Sequence, residues 1–167
     1  MLRLAPLLLL LAAPALALPA AAPKVKAQSF EQLAKPLPLP YAEGADADAA
    51  VAAAKGRALR AHKKLLIDLG GNWCLDCRLL AGTIDLPDLN AWVKRHYEVV
   101  TVDVARFDKN GQIPAHYGIT GRLAGVPAVL IVDPRTDRLI NKGHETALSD
   151  ARSLSPQALA DWLARWA

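Results

Sequence analysis

Apolar positions along this chain follow two rhythms, and the element type changes where the rhythm changes. Largely apolar runs bounded by polar or turn residues read as strands buried on both faces. Two such runs are Leu65 to Leu69 and Ala128 to Val132, the second preceded by Gly125, Val126 and Pro127 and closed by Asp133 and Pro134. Tyr97 to Val104 carries Val99, Val100, Val102 and Val104, β-branched residues suited to an interior strand. Arg138 to Lys142 reads as the hairpin partner of the Ala128 run.

Between these runs the period shifts to three and four. Ala45 to His62 is alanine-rich, with Asp46 and Asp48 early and Lys55, Arg57 and Arg60 late, a charge order that complements a helix dipole. A helix opening at Cys74 runs through Arg78, Leu79 and Leu80 toward Gly82, where glycine can end it. Asp85 or Pro87 restarts a helix whose buried face is Leu89, Trp92 and Val93. After a turn at Asp108 to Gly111, Ile113 to Tyr117 makes a short helix ending at Gly118. Ser155 caps and Pro156 opens a last helix with Leu159, Trp162, Leu163 and Trp166 on one face. The order predicts an α/β domain over residues 45–167, a central mixed β-sheet flanked by helices, without internal repeats.

The N-terminus has a different composition. Arg3, the leucine run Leu7 to Leu11 and the small-residue signature Ala15, Leu16, Ala17 read as a secretory signal peptide over residues 1–22, cut after Ala17 or a few residues later. An uncleaved anchor would need roughly 20 apolar residues. The uncharged stretch from Leu4 to Pro23 approaches that, but Pro6, Pro14, Pro19 and the alanine-rich end argue against it. No cysteine follows the apolar run, which excludes a lipid-anchored lipoprotein. Residues 23–44, with Pro36, Pro38 and Pro40, form an extended linker or a segment lying over the domain surface, and carry no assigned chemistry. The expected location is the periplasm. At 167 residues and 53% apolar, the chain suits one core. Its net charge of +4 is scattered among acids, a solvated basic surface with no nucleic-acid message.

The chemistry concentrates at the only two cysteines, Cys74 and Cys77, in Gly71, Asn72, Trp73, Cys74, Leu75, Asp76, Cys77 directly after the first apolar run. A strand feeds a Cys-x-x-Cys helix start. A thiol in a first helical turn faces unsatisfied backbone N–H groups and the positive end of the dipole, which favours the thiolate, the form that attacks disulfides. Export gives such a pair work, because disulfides persist outside the cytosol. Zinc or copper would need further ligands, yet His62, His96, His116 and His144 do not pair at ligand spacing. Arg78, not histidine, follows Cys77, which disfavours covalent haem. No metal or cofactor is therefore expected. The competing readings are a copper-handling protein and a non-catalytic binding module with a merely structural disulfide, although a bridge closing so short a loop adds little stability.

Trp73, Cys74 and Cys77 at the first strand-helix junction, Asp68 six residues before Cys74, and Val126-Pro127 before a strand lie far apart, and together they resemble the thioredoxin superfamily from about Ala45 onward. The resemblance implies a buried aspartate at Asp68 beneath the active site and a cis-proline at Pro127. The run from Asn72 to Arg78 looks most like exported thioredoxin-like proteins and the C-terminal domain of the bacterial transmembrane thiol reductase. The intervening pair Leu75 and Asp76 departs from the Gly-Pro of cytosolic thioredoxin, so that protein's redox poise and substrates are not carried over.

Roles follow. Cys74, at the helix start, is the expected attacking thiol, and Cys77, one turn in, the buried resolving thiol. A desolvated Asp68 would accept the Cys77 proton. Trp73 would shield the disulfide and offer substrates an apolar face, while a cis bond at Pro127 would expose the Val126 backbone to an extended substrate segment. Leu75, Asp76 and Arg78 are the candidate redox-tuning residues: the Asp76 charge opposes a Cys74 thiolate, and Arg78 favours it. A less stabilised thiolate means a more reducing couple, so reduction is expected over oxidation. The expected partners are exported proteins with disulfides and a membrane thiol reductase as electron donor, the protein itself being a monomer.

Overall fold

The computed structural model describes residues 20–167, so most of the expected leader lies outside the described residues. Strand β1 (Lys64–Gly70) runs through the middle, buried at every position but Lys64. It pairs in parallel with β2 (Tyr97–Asp103) and antiparallel with β3 (Ala128–Asp133), which carries the short β4 (Arg138–Leu139), giving the sheet order β2-β1-β3-β4. A parallel neighbour requires a crossover, supplied by α2 (Leu75–Ile84) and α3 (Pro87–His96). Helices α1 (Ala47–Ala61), α4 (Gln112–His116) and α5 (Pro156–Arg165) complete the mixed sheet and its flanking helices.

Strand alternation divides β1 between two cores. Leu65, Ile67 and Leu69 pack with Ala54 and Ala58 of α1 and with Val100 and Val102, whereas Leu66 packs with Leu80, Leu89, Trp92, Leu159 and Leu163. Asp46 caps α1 through the Ala49 N–H at 2.9 Å, and Ser155 caps α5 through that of Ala158 at 3.2 Å.

Three sequence expectations are corrected. Gly82 does not end α2, which continues to Ile84; the glycine admits Leu33 and Leu37, whose side chains would lie 3.3 Å from an added Cβ. β2 is an edge strand, its valines covered by α1 and its Thr101 hydroxyl bonded to the Pro40 carbonyl at 2.8 Å. The hairpin partner stops at Leu139 because the buried Asn141 side chain replaces backbone pairing, accepting from Ile131 N–H and donating to the Val129 carbonyl, both at 2.8 Å. Residues 20–22 pack on the domain, with the Ala21 carbonyl accepting from Trp92 Nε1 at 2.9 Å.

Residues 23–44 lie against the domain. Val25, Leu33, Leu37 and Tyr41 are buried. The segment contains a 3-10 turn at Phe30–Gln32 and a cis Lys35–Pro36 bond.

Asn141→Ala leaves a buried donor and a buried acceptor of β3 unpaired. It is expected to lower unfolding stability by about 2–3 kcal/mol, read from the urea midpoint at unchanged m-value.

Candidate active site

Cys74 is the N-cap of α2, with extended backbone, and its Sγ accepts the Cys77 N–H at 3.1 Å. The two cysteines form a disulfide with Cα atoms 5.3 Å apart. Cys77 is fully buried, while Cys74 retains 6% exposure. The exposed edge of Cys74 opens into a groove of 430 Å³ whose walls include Trp73, Leu75, Phe107, Gly125, Val126 and Arg152. The sulfur that meets solvent is thus the one at the helix mouth.

Across the groove the Val126–Pro127 bond is cis, and the Val126 carbonyl oxygen lies 3.4 Å from Cys74 Sγ. Gly125 is required there, since a Cβ would lie 2.7 Å from the Ser149 Cβ. Trp73 is 43% exposed, fixed by a 2.6 Å bond from Nε1 to the Ala105 carbonyl. Its ring centroid is 5.9 Å from that of Phe107; Arg106 lies over the Trp73 ring at 4.4 Å and Arg122 over Phe107 at 4.1 Å. Leu75 is 44% exposed beside it. Together they make an apolar face edged by guanidinium groups.

Asp76 points inward. Its carboxylate accepts from the Arg152 backbone N–H at 2.9 Å and from Arg152 Nε at 3.0 and 3.2 Å, and Arg152 Nη2 closes the pair. Burial alone would raise the carboxyl, but the hydrogen bonds from Arg152 outweigh it and hold the group below its ordinary value. The Asp76 charge is therefore compensated by a partner 76 residues away. The opposing field expected from sequence is largely cancelled. Arg78, the other charge expected to tune Cys74, donates instead to the Leu37 carbonyl at 3.0 Å and the Pro38 carbonyl at 3.2 Å.

Asp68 lies on β1, 2% exposed, and accepts the Tyr41 hydroxyl at 3.0 Å. Burial pushes its carboxyl up to about 7, against the smaller downward pull of the Tyr41 bond. Gly70, two residues on and hence on the same face, shows how close the groups are: an added Cβ would strike the Tyr41 hydroxyl and lie 2.8 Å from Cys77 Sγ. The phenol thus lies between the Asp68 carboxyl and the buried Cys77 sulfur.

The histidines are dispersed. His62 ends α1, His96 stacks on Trp92, His116 pairs with Asp137 at 2.9 Å and His144 stacks on Trp166. No three His, Cys, Asp or Glu side chains gather into a metal-binding group among the described residues.

A family model described as thioredoxin-like matches residues 46–134. A crystal structure described as a disulphide isomerase from Xylella fastidiosa Temecula1 is 36% identical, covering 77% of this chain and 96% of that one, with a TM-score of 0.69. The chain belongs to the thioredoxin-like family. A protein of unknown function from Pseudomonas aeruginosa is 19% identical over 72% of this chain and 85% of that one, with a TM-score of 0.37, too remote to inform the site. No curated protein sequence matches.

This thioredoxin-like domain also uses residues that sequence reasoning passed over. Tyr41 sits in the segment given no chemistry, Asn72 bonds the Tyr41 backbone on both sides at 3.1 and 2.9 Å, and Arg152 neutralises Asp76. Only Asn72 stood near the motif, and nothing local marked its partner.

Asp68 has a stability consequence with a definite sign. Between its unfolded pKa near 4 and the folded value of about 7 the native state holds the extra proton, so stability falls as pH rises through that window and levels off above it. Asp68→Asn should abolish this slope. At pH 8 the oxidised variant is expected to exceed the wild type by roughly 4 kcal/mol, with the gain vanishing near pH 4, by urea denaturation across pH.

Proposed function

We propose that this chain is an exported thiol-disulfide oxidoreductase that reduces protein disulfides through a mixed disulfide on Cys74, resolved by Cys77. The observation that carries the reading is the asymmetry of the pair: one sulfur caps α2 at a groove, and its partner is sealed one turn inside. In the reduced protein the Cys77 N–H and the helix start would favour a Cys74 thiolate. That thiolate attacks a substrate sulfur, the first substrate thiol leaves, and Cys77 then displaces the second as the Cys74–Cys77 bridge forms. Trp73, Leu75 and the Val126 backbone flank the path of an extended substrate.

Reduction is favoured over oxidation by how little stabilises the Cys74 thiolate beyond the helix start. Arg152 is committed to Asp76, Arg78 to the carbonyls of residues 37 and 38, and the Val126 carbonyl oxygen faces the sulfur. Strong oxidants of this chemistry owe their potential to a well-stabilised reduced form, which this site lacks. Asp76 thus acts by occupying the Arg152 guanidinium.

Export rests on the N-terminal pattern, and the packing of residues 20–22 favours cleavage after Ala17, which keeps them in the mature protein. A reducing enzyme in that compartment needs electrons, for which a membrane thiol reductase is the proposed donor. Its proposed clients are exported proteins carrying disulfides, met by a monomer.

With a disulfide-bonded peptide and a thiol donor, the wild type is expected to catalyse reduction, Cys74→Ser to lose it, and Cys77→Ser to accumulate a peptide adduct on Cys74 seen by non-reducing mass spectrometry. Full activity in Cys74→Ser would reject the mechanism.

A further inference from the structure

The N-terminal segment is fastened beside the active site at four residues, Leu37, Pro38, Pro40 and Tyr41. Arg78 holds the Leu37 and Pro38 carbonyls, Thr101 the Pro40 carbonyl, and Asn72 both the N–H and the carbonyl of Tyr41. Two of these anchors, Asn72 and Arg78, bracket the cysteines in sequence. The result of this fastening is a single phenol, 2% exposed, delivered into the pocket behind the disulfide.

That phenol lies in a particular place. It donates to Asp68 Oδ1 at 3.0 Å, and the position of a Gly70 Cβ, 2.8 Å from Cys77 Sγ, would collide with the same hydroxyl. The Tyr41 oxygen and the Cys77 sulfur therefore border one space no larger than a methyl group. With its proton directed at Asp68, the phenol has its lone pairs available to that space. We propose that Tyr41 takes part in the resolving step, holding Asp68 as the acceptor for the Cys77 proton and relaying that proton through its hydroxyl.

The inference rests on the oxidoreductase reading, and the step balances within it. With substrate held on Cys74, the Cys77 S–H proton passes to the phenol oxygen as the phenol proton passes to Asp68 Oδ1. The phenol ends neutral, Asp68 a carboxylic acid and Cys77 a thiolate. The thiolate attacks Cys74 Sγ, the Cys74–substrate S–S bond breaks, and the substrate sulfur leaves with the electron pair, protonated from Asp68 or water. The substrate disulfide gains two electrons, and the protein dithiol loses them.

The groups facing this pocket are few. Asp68 comes from β1, Cys77 from α2 and Tyr41 from the segment, and Asp103 at the end of β2 adds a negative charge felt by the phenol. Burial, then the charge and hydrogen bond of Asp68, then Asp103 push the phenol well above its ordinary range, so it serves only as a neutral hydroxyl near pH 7. Its bond to Asp68 favours the carboxylate, so removing the hydroxyl should raise the pH at which Asp68 can accept a proton.

The test is Tyr41→Phe, which keeps the ring and deletes the hydroxyl. In stopped-flow resolution of a preformed Cys74–peptide mixed disulfide, the variant is expected to be about tenfold slower at pH 7, with its pH-rate midpoint moved upward. The carboxyl NMR titration of Asp68 should move in the same direction. The first attack by Cys74, measured in a Cys77→Ser background, should be unchanged. Should Tyr41→Phe fold poorly, Asn72→Ala, which loosens the segment and leaves the hydroxyl in place, should move both midpoints the same way by less. A Tyr41→Phe protein with the wild-type resolution rate and midpoint would overturn the inference alone, whereas a wild type that reduces no disulfide would overturn the functional reading and the inference with it.

Discussion

The 3.1 Å approach of the Cys77 N–H to the Cys74 sulfur exists only because β1 stops at Gly70 and the chain turns into α2 with Cys74 as the cap. A cap residue must offer an acceptor to the first free N–H groups of its helix. Here the acceptor is a sulfur, so the same contact that satisfies the helix would favour its thiolate. Everything else in the site is arranged around that point. The central strand fixes where the helix begins, the cis-proline loop brings a carbonyl across from it, and the second sulfur falls one turn inside, against the pocket of Asp68.

Two charges beside the cysteines are read differently once their partners are known. Asp76 lies next to Cys77 in sequence, yet its charge is spent on Arg152 from the turn before α5. Arg78 is spent on the segment at residues 37 and 38. The helix start still directs its free N–H groups at the Cys74 sulfur. The segment, in turn, is part of the domain: it covers α2, closes over β2 through Thr101 and places Tyr41 on Asp68.

Legibility in the sequence followed the range of the interaction. Helix α5 was visible because Ser155, Pro156 and the Leu159, Trp162, Leu163 stripe lie within three turns, and β1 because Leu65 to Leu69 is apolar at every position but Asp68. The Cys-x-x-Cys cap was visible for the same reason. The end of α2 was misjudged because Gly82 serves Leu33 and Leu37, residues far behind it in the chain, and β4 was overextended because a side chain amide can replace a strand. Tyr41 and Arg152 could not be found this way. They reach their carboxylates across 27 and 76 residues, and no local period encodes such a meeting.

The most direct measurement is the pKa of Cys74 in the reduced protein, from the pH dependence of its alkylation rate in a Cys77→Ala background. A sulfur that caps a helix should titrate below the ordinary thiol value of about 8.5 and above the value of about 3.5 reached in strong oxidants. A value at or above about 8.5 would contradict the account, because the sulfur would then draw nothing from the helix it caps.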